Sequence, residues 1–257
     1  MIQIDINPYI FSIGSLKIGW GLIIGIAAVM LAIPLSIVLA RPLRLKRVHI
    51  FWLCSITVIC GYLGALLFSI IESLLAYHSI ATFNFSLRAD GLPIAVTIAT
   101  LIYARINNLD YWPLLDIGAI SLILYMAVYR IGCVLVGCCY GLPCDQPWAI
   151  IYTNPNSPAP LDIAIYPTQF FHLIWNFLVL AIVWLSRKEF KVVGTLGLFA
   201  WTLYFAGDFV IRFFRGNEPP VLGLSLSEIT DILAIIAAIY FFTVRYKTFN
   251  PKRAIDS

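Results

Sequence analysis

Charge is scarce in this sequence. Only 12% of its 257 residues are Asp, Glu, Lys or Arg, about half of the roughly 25% found in an ordinary soluble domain. With 61% of residues hydrophobic and a mean hydropathy of +0.92, a water-soluble fold would have too little polar surface to cover itself. Basic runs and RNA-binding motifs are missing, so the formal charge of +4 does not point to a nucleic-acid partner. The start, MIQIDINPYIF, lacks a basic n-region and a cleavage site, so no removable signal peptide is expected. There is no internal repeat either, which speaks against an inverted-repeat transporter. The six cysteines do not form the ladder of a small secreted domain, because two sit in apolar runs and four fall between 133 and 144.

What is present is a series of apolar stretches long enough for membrane helices, which need about 20 residues each. They run near 20–40, 50–72, 91–105, 114–136, 168–186, 193–214 and 225–244. The third is short and starts at the Gly91-Leu92-Pro93 break, which suits either a tilted span or one preceded by a re-entrant segment in 84–90. The expectation is an all-α integral membrane protein, a single transmembrane domain over 1–257 with about seven spans. Basic residues test the topology. With the N-terminus outside, inner segments hold twelve of the 17 Lys and Arg, whereas outer segments hold three, Lys17, Arg88 and Arg215. Arg130 and Arg212 lie within spans. That bias predicts an outer N-terminus and a cytoplasmic C-terminus, with a short outer cap at about 137–167 and a basic tail at about 245–257. The cap has no Lys or Arg and contains PNSPAP, so ordered turns are expected there in place of a helix.

Ionisable residues inside spans are costly and mark function by default. Arg130 lies in YMAVYRIGCVLVGCCYG, with no acid within a helical turn, and a lipid phosphate would satisfy it. Asp208 and Arg212 are four apart and share a helix face. They are either a structural ion pair or, with Arg212 or Arg215, a clamp for an anionic head group. Asp116 and Glu72 sit near span ends, and His172 at the mouth of the fifth span. Gly132, Gly137 and Gly141 allow close approach to a helix or a ligand. The cysteines leave several readings open. Cys133, like Cys54 and Cys60, suits packing. Cys138 or Cys139 suits a disulfide to Cys144. Cys138 also suits a nucleophile activated by His172. Adjacent Cys138 and Cys139 on a helix would point apart, so no metal and no cofactor is expected.

These segments resemble the bacterial prolipoprotein diacylglyceryl transferase family along nearly the whole chain, from NPYIFSIGSLKIGWGL to GLSLSEITDILAIIA. The family's G-R-x-G-N-F-x-N-G-E-x-x-G signature maps onto Tyr129–Gly141, its H-P-S-Q-L-Y-E motif onto Tyr166–His172, and its E-F-F-R segment onto Arg212–Arg215. The resemblance implies seven spans with an outer N-terminus in the bacterial inner membrane. It implies transfer of the diacylglyceryl group of phosphatidylglycerol to the lipobox cysteine thiol of a lipoprotein precursor, or another outer-leaflet thiol, with release of glycerol 1-phosphate. Arg130, Gly132, Gly137, Gly141, Pro167, Gln169 and Arg215 match the family pattern and, with Asp208 and Arg212, are the expected substrate-binding residues. Other positions depart from it. The family's H-G-G-L reads Ala89-Asp90-Gly91-Leu92, its W-Y-G-L loses the tyrosine after Trp20, and its signature Asn, Asn and Glu are Cys133, Val136 and Cys138. The late Arg-to-Glu pair is reversed as Asp208 and Arg212. Asp90 or His172 would then supply the missing base, and these, with Cys138, are the candidate catalytic residues. The rival readings are a non-catalytic lipid- or lipoprotein-binding paralogue, and a thiol-redox membrane protein using the GCVLVGCCYG cysteines.

Overall fold

The computed structural model describes residues 1–13, 16–77, 90–216 and 223–248. Seven α-helices dominate it: α1 (Trp20–Ala40), α2 (Arg47–Tyr77), α3 (Gly91–Ile106), α4 (Tyr111–Val136), α5 (Thr168–Ser186), α6 (Thr195–Arg212) and α7 (Leu226–Thr248). Each of the seven apolar stretches is a helix, with ends that differ by a few residues. Five helices (α1, α2, α4, α5 and α7) are long and apolar enough to cross a bilayer. The other two are α3, which has 16 residues, and α6, which carries Asp208 and Arg212. The loop over 84–89, Ala89 and Arg88 within it, and the tail beyond residue 248 lie outside the described residues.

Burial runs opposite to that of a water-soluble protein. The most apolar helix, α1, is the least covered by the rest of the chain, with Leu22 57% and Met30 69% exposed. An apolar surface of this extent needs a non-aqueous solvent. The less apolar α6 is mostly buried, against α4, α5 and α7. The core between α4, α5 and α6 holds Ile123, Met126, Val179, Val183, Ala200 and Tyr204. α1 packs on α4, and α2 on α3. The last pair meets at glycine: a Cβ on Gly91 would lie 2.1 Å from the Gly64 carbonyl oxygen. Only a bare backbone brings the start of α3 that close, and the contact seats Asp90 inside the protein at 6% exposure.

The helices have two distinct ends. At one, Asp116 near the start of α4 accepts hydrogen bonds from the amides of Gly194 (2.7 Å) and Gly197 (2.6 Å). That satisfies orphan donors at the start of α6 and explains this half-buried acid. Arg245 near the end of α7 reaches the Val193 carbonyl there (3.1 Å). At the other end, the segment between α4 and α5 holds no helix and contains short strands. β1 (Ile2–Ile4), β4 (Ile150–Tyr152) and β5 (Ala164–Ile165) form one sheet in the order β1-β4-β5. β1 runs parallel to β4 with Ile2 opposite Ile150, and β4 is antiparallel to β5. A hairpin of β2 (Tyr9–Ile13) and β3 (Leu16–Gly19) leads into α1. The strands are a departure from an all-α reading, since three-residue strands leave almost no periodic trace. Ile4, Ile150, Tyr152, Ala159 and Ile165 form the small core of this cap. Tyr152 Oη donates to the Val134 carbonyl (2.9 Å), and Ser157 Oγ to that of Val136 (3.3 Å). The cap thus satisfies carbonyls that the end of α4 leaves open.

A candidate active site beneath the cap

Three elements meet under the cap: the end of α4, the first turns of α5 and the end of α6. Arg130 on α4 is buried at 4% exposure, and its Nη2 lies 3.7 Å from Asp208 Oδ1 on α6. The same oxygen lies 2.8 Å from His172 Nδ1 on α5. Asp208 thereby links the buried arginine to the buried histidine, which the sequence could not show. His172 Nε2 and both amide atoms of Asn176, one turn further along α5, have no hydrogen-bond partner among the described residues. A buried polar atom left without a partner is costly, so these atoms favour a polar ligand or a water.

Arg212 is held differently. It is fully buried and bonds to Asp208 and Asp90, and its Nε donates to Asp231 Oδ2 at 2.6 Å. Asp90 also accepts from Ser227 Oγ (3.0 Å), so both its oxygens are occupied. Asp231 is a site residue that the sequence reading passed over, although it lies in an apolar span and the rule that found Arg130 applies to it equally. It is set in place by a capping box at the start of α7. The Glu228 carboxylate accepts from the Ser225 amide (2.6 Å), and Ser225 Oγ accepts from the Glu228 amide (3.1 Å).

The loop after α4 is shaped by backbone conformation. Gly137 ends the helix with φ of +83°, and a Cβ there would meet Ser157 Oγ at 2.2 Å. Cys139 follows with φ of +55°. Cys138 and Cys139 therefore lie past the helix end, and the premise that they point apart on a helix does not hold. The sulfurs of Cys133, Cys138 and Cys139 all lie within 4.8 Å of one another. Two residues of α5 hold this loop from below. Gln169 Nε2 donates to the Cys138 carbonyl (3.0 Å), and Thr168 Oγ1 to that of Cys139 (2.7 Å). Hydrogen bonds from the Cys133 and Cys138 thiols, then the Arg215 and Arg130 guanidiniums, hold the Cys139 thiol well below its ordinary pKa. All six cysteines are free, including Cys144. No hydrogen bond joins the Cys138 thiol to His172.

Arg215, nine-tenths buried, pairs with Gly141 as a β-bridge. Gly141 lies against the backbone of Tyr166 and Phe214, where a Cβ would come within 2.3 Å of the Tyr166 oxygen. Gly132 packs on α1, where an added Cβ would lie 3.4 Å from Gly21 Cα. Glu72 is buried in α2. An apolar crevice of about 720 Å³ opens between α1, α2, α3 and α4, lined by Gly21, Gly25, Gly61, Val96, Tyr125 and Tyr129 among others, the last of these next to Arg130 in the sequence. Its volume falls in the range of small-molecule pockets, and its walls suit hydrocarbon.

The sequence model of the prolipoprotein diacylglyceryl transferase family matches residues 8–244. A phosphatidylglycerol–prolipoprotein diacylglyceryl transferase of Dehalococcoides mccartyi is 29% identical over 253 residues, covering 96% of either chain. One of Clostridium tetani is 31% identical over 250 residues, covering 93% of this chain and 97% of its own. One of Pseudomonas putida is 30% identical over 224 residues, covering 82% of this chain and 81% of its own.

Proposed function

The chain belongs to the prolipoprotein diacylglyceryl transferase family, and from that premise we propose how it carries out the family reaction. It is a multi-pass membrane transferase. It moves the diacylglyceryl group of phosphatidylglycerol onto the lipobox cysteine thiol of a lipoprotein precursor. We read it as one transmembrane domain of seven spans in the bacterial inner membrane, with the cap facing outward. The basic residues support that orientation. Arg44, Arg47, Arg105, Arg187 and Arg245 belong to the end opposite the cap, as inner-side charge does.

The observation that carries the site assignment is Arg130. Among the described residues its single ion pair is the 3.7 Å contact with Asp208, so most of its hydrogen-bonding capacity remains for a ligand. A guanidinium keeps its charge and grips a phosphate with two prongs. Arg130, with Arg215, holds the phosphate, and the apolar crevice that reaches Tyr129 takes acyl chain. His172, oriented by Asp208, accepts the proton of the acceptor thiol, acting as general base. The thiolate attacks the glyceryl carbon next to the phosphate ester oxygen. A C–S bond forms, the C–O bond breaks, and glycerol 1-phosphate leaves with its charge held by the arginines. Asp90 serves as a positioning residue for Arg212, and Gln169 for the Cys138–Cys139 loop.

Complementation tests this reading. With the gene as sole transferase in a transferase-depleted bacterium, growth and a diacylglyceryl-modified lipoprotein cysteine, read by mass, are expected. Accumulated unmodified precursor beside a well-expressed membrane protein would overturn it in favour of a lipid-binding paralogue.

A further inference from the structure

The three clustered cysteines take no part in the chemistry above, and their arrangement is specific. Cys133 is 2% exposed in the last turn of α4. The left-handed turns at Gly137 and Cys139 fold the chain back, so that two further sulfurs join it within 4.8 Å. Gln169 and Thr168 fix the carbonyls of both loop cysteines from α5. A tetrahedral zinc site with Zn–S bonds of about 2.3 Å sets its sulfurs roughly 3.8 Å apart, so closing this triad needs shifts of about 1 Å or less.

We propose that Cys133, Cys138 and Cys139 form a three-thiolate site for a thiophilic d10 metal ion, Zn²⁺ above all. Charge favours it. Three thiolates and one divalent cation carry a net charge of −1, and the Arg215 and Arg130 guanidiniums both act on the Cys139 sulfur. On binding, the three thiols give up their protons to solvent. Three protein ligands leave a fourth position open, as in zinc sites that bind a reacting molecule. The acceptor cysteine thiol fits that position, where it would be bound as thiolate before attack. This last clause rests on the transferase reading, whereas the metal site does not.

Cobalt(II) serves as the probe. The full-length protein in detergent, reduced and freed of metal, is titrated with Co²⁺ under anaerobic conditions. One Co²⁺ per chain is expected, with thiolate-to-cobalt charge-transfer bands and intense tetrahedral visible bands that vanish on adding one equivalent of Zn²⁺. Cys139→Ser and Cys138→Ser, judged folded by thermal unfolding, should lose or strongly shift the bands, whereas Cys144→Ser and Cys54→Ser should keep them. Absence of the bands in the wild-type chain overturns the site, as does their survival in both Cys138→Ser and Cys139→Ser. A lipobox peptide should shift the bands and its Cys→Ser version should not. If neither does, the fourth-position clause fails. Metal binding without transfer in the complementation experiment would leave the site standing and sink the transferase reading alone.

Discussion

Arg130 and Arg212 are both buried arginines at the cap end of adjacent helices, yet their surroundings are opposite. Arg212 is bonded to three carboxylates drawn from three different segments, Asp90, Asp208 and Asp231. Arg130 shares one of those carboxylates at 3.7 Å. A saturated buried charge ties elements together, and removing one partner strands the others. A lightly held one retains attraction for something that arrives later. The difference separates a structural knot from a binding site, although both arginines stand within apolar spans.

Four substitutions sharpen or break that contrast. The largest effect is expected for Arg212→Ala, which leaves three carboxylates in the interior without their cation. A loss of about 3–5 kcal/mol should appear as a steep fall in membrane accumulation and in the unfolding midpoint. Ordinary stability in this variant would end the structural reading. Arg130→Lys should accumulate normally but transfer about 100-fold or more slowly, from loss of two-pronged charge stabilisation. A stability loss as large as that of Arg212→Ala would erase the distinction. His172→Ala is expected to slow transfer by roughly 100-fold with the lipid still bound, measured with a fluorescent phosphatidylglycerol. Unchanged transfer would remove His172 as the base. Asp90→Asn should be the mildest, since Arg212 keeps two carboxylates, with about 1–2 kcal/mol of stability lost and transfer reduced only several-fold. Complete inactivation without destabilisation would return Asp90 to the reacting centre.

Much of this arrangement could be read before folding was considered. Each apolar run became a helix because about 20 apolar residues have few other ways to satisfy their backbone in lipid. Arg130 and Asp208 announced themselves as charges where hydrocarbon was expected. Gly137 marked the end of α4 by position, and its positive φ explains why. Other features left no trace. The β1–β4 pairing joins residues about 150 positions apart through three-residue strands. Asp231 was visible as a charge in a span, but nothing local tied it to Arg212.

The sequence by itself determined that the chain needs an apolar solvent, where its helices run, which end carries the basic residues and which family pattern it follows. These depend on composition and short-range spacing, which are properties of the chain in one dimension. The tertiary structure alone decided which carboxylates neutralise Arg212 and that Asp208 stands between Arg130 and His172. It also decided that two neighbouring cysteines converge on a third. Coulombic and hydrogen-bonding partners are selected by distances of a few ångströms between separate helices, and such distances exist only once the helices have packed.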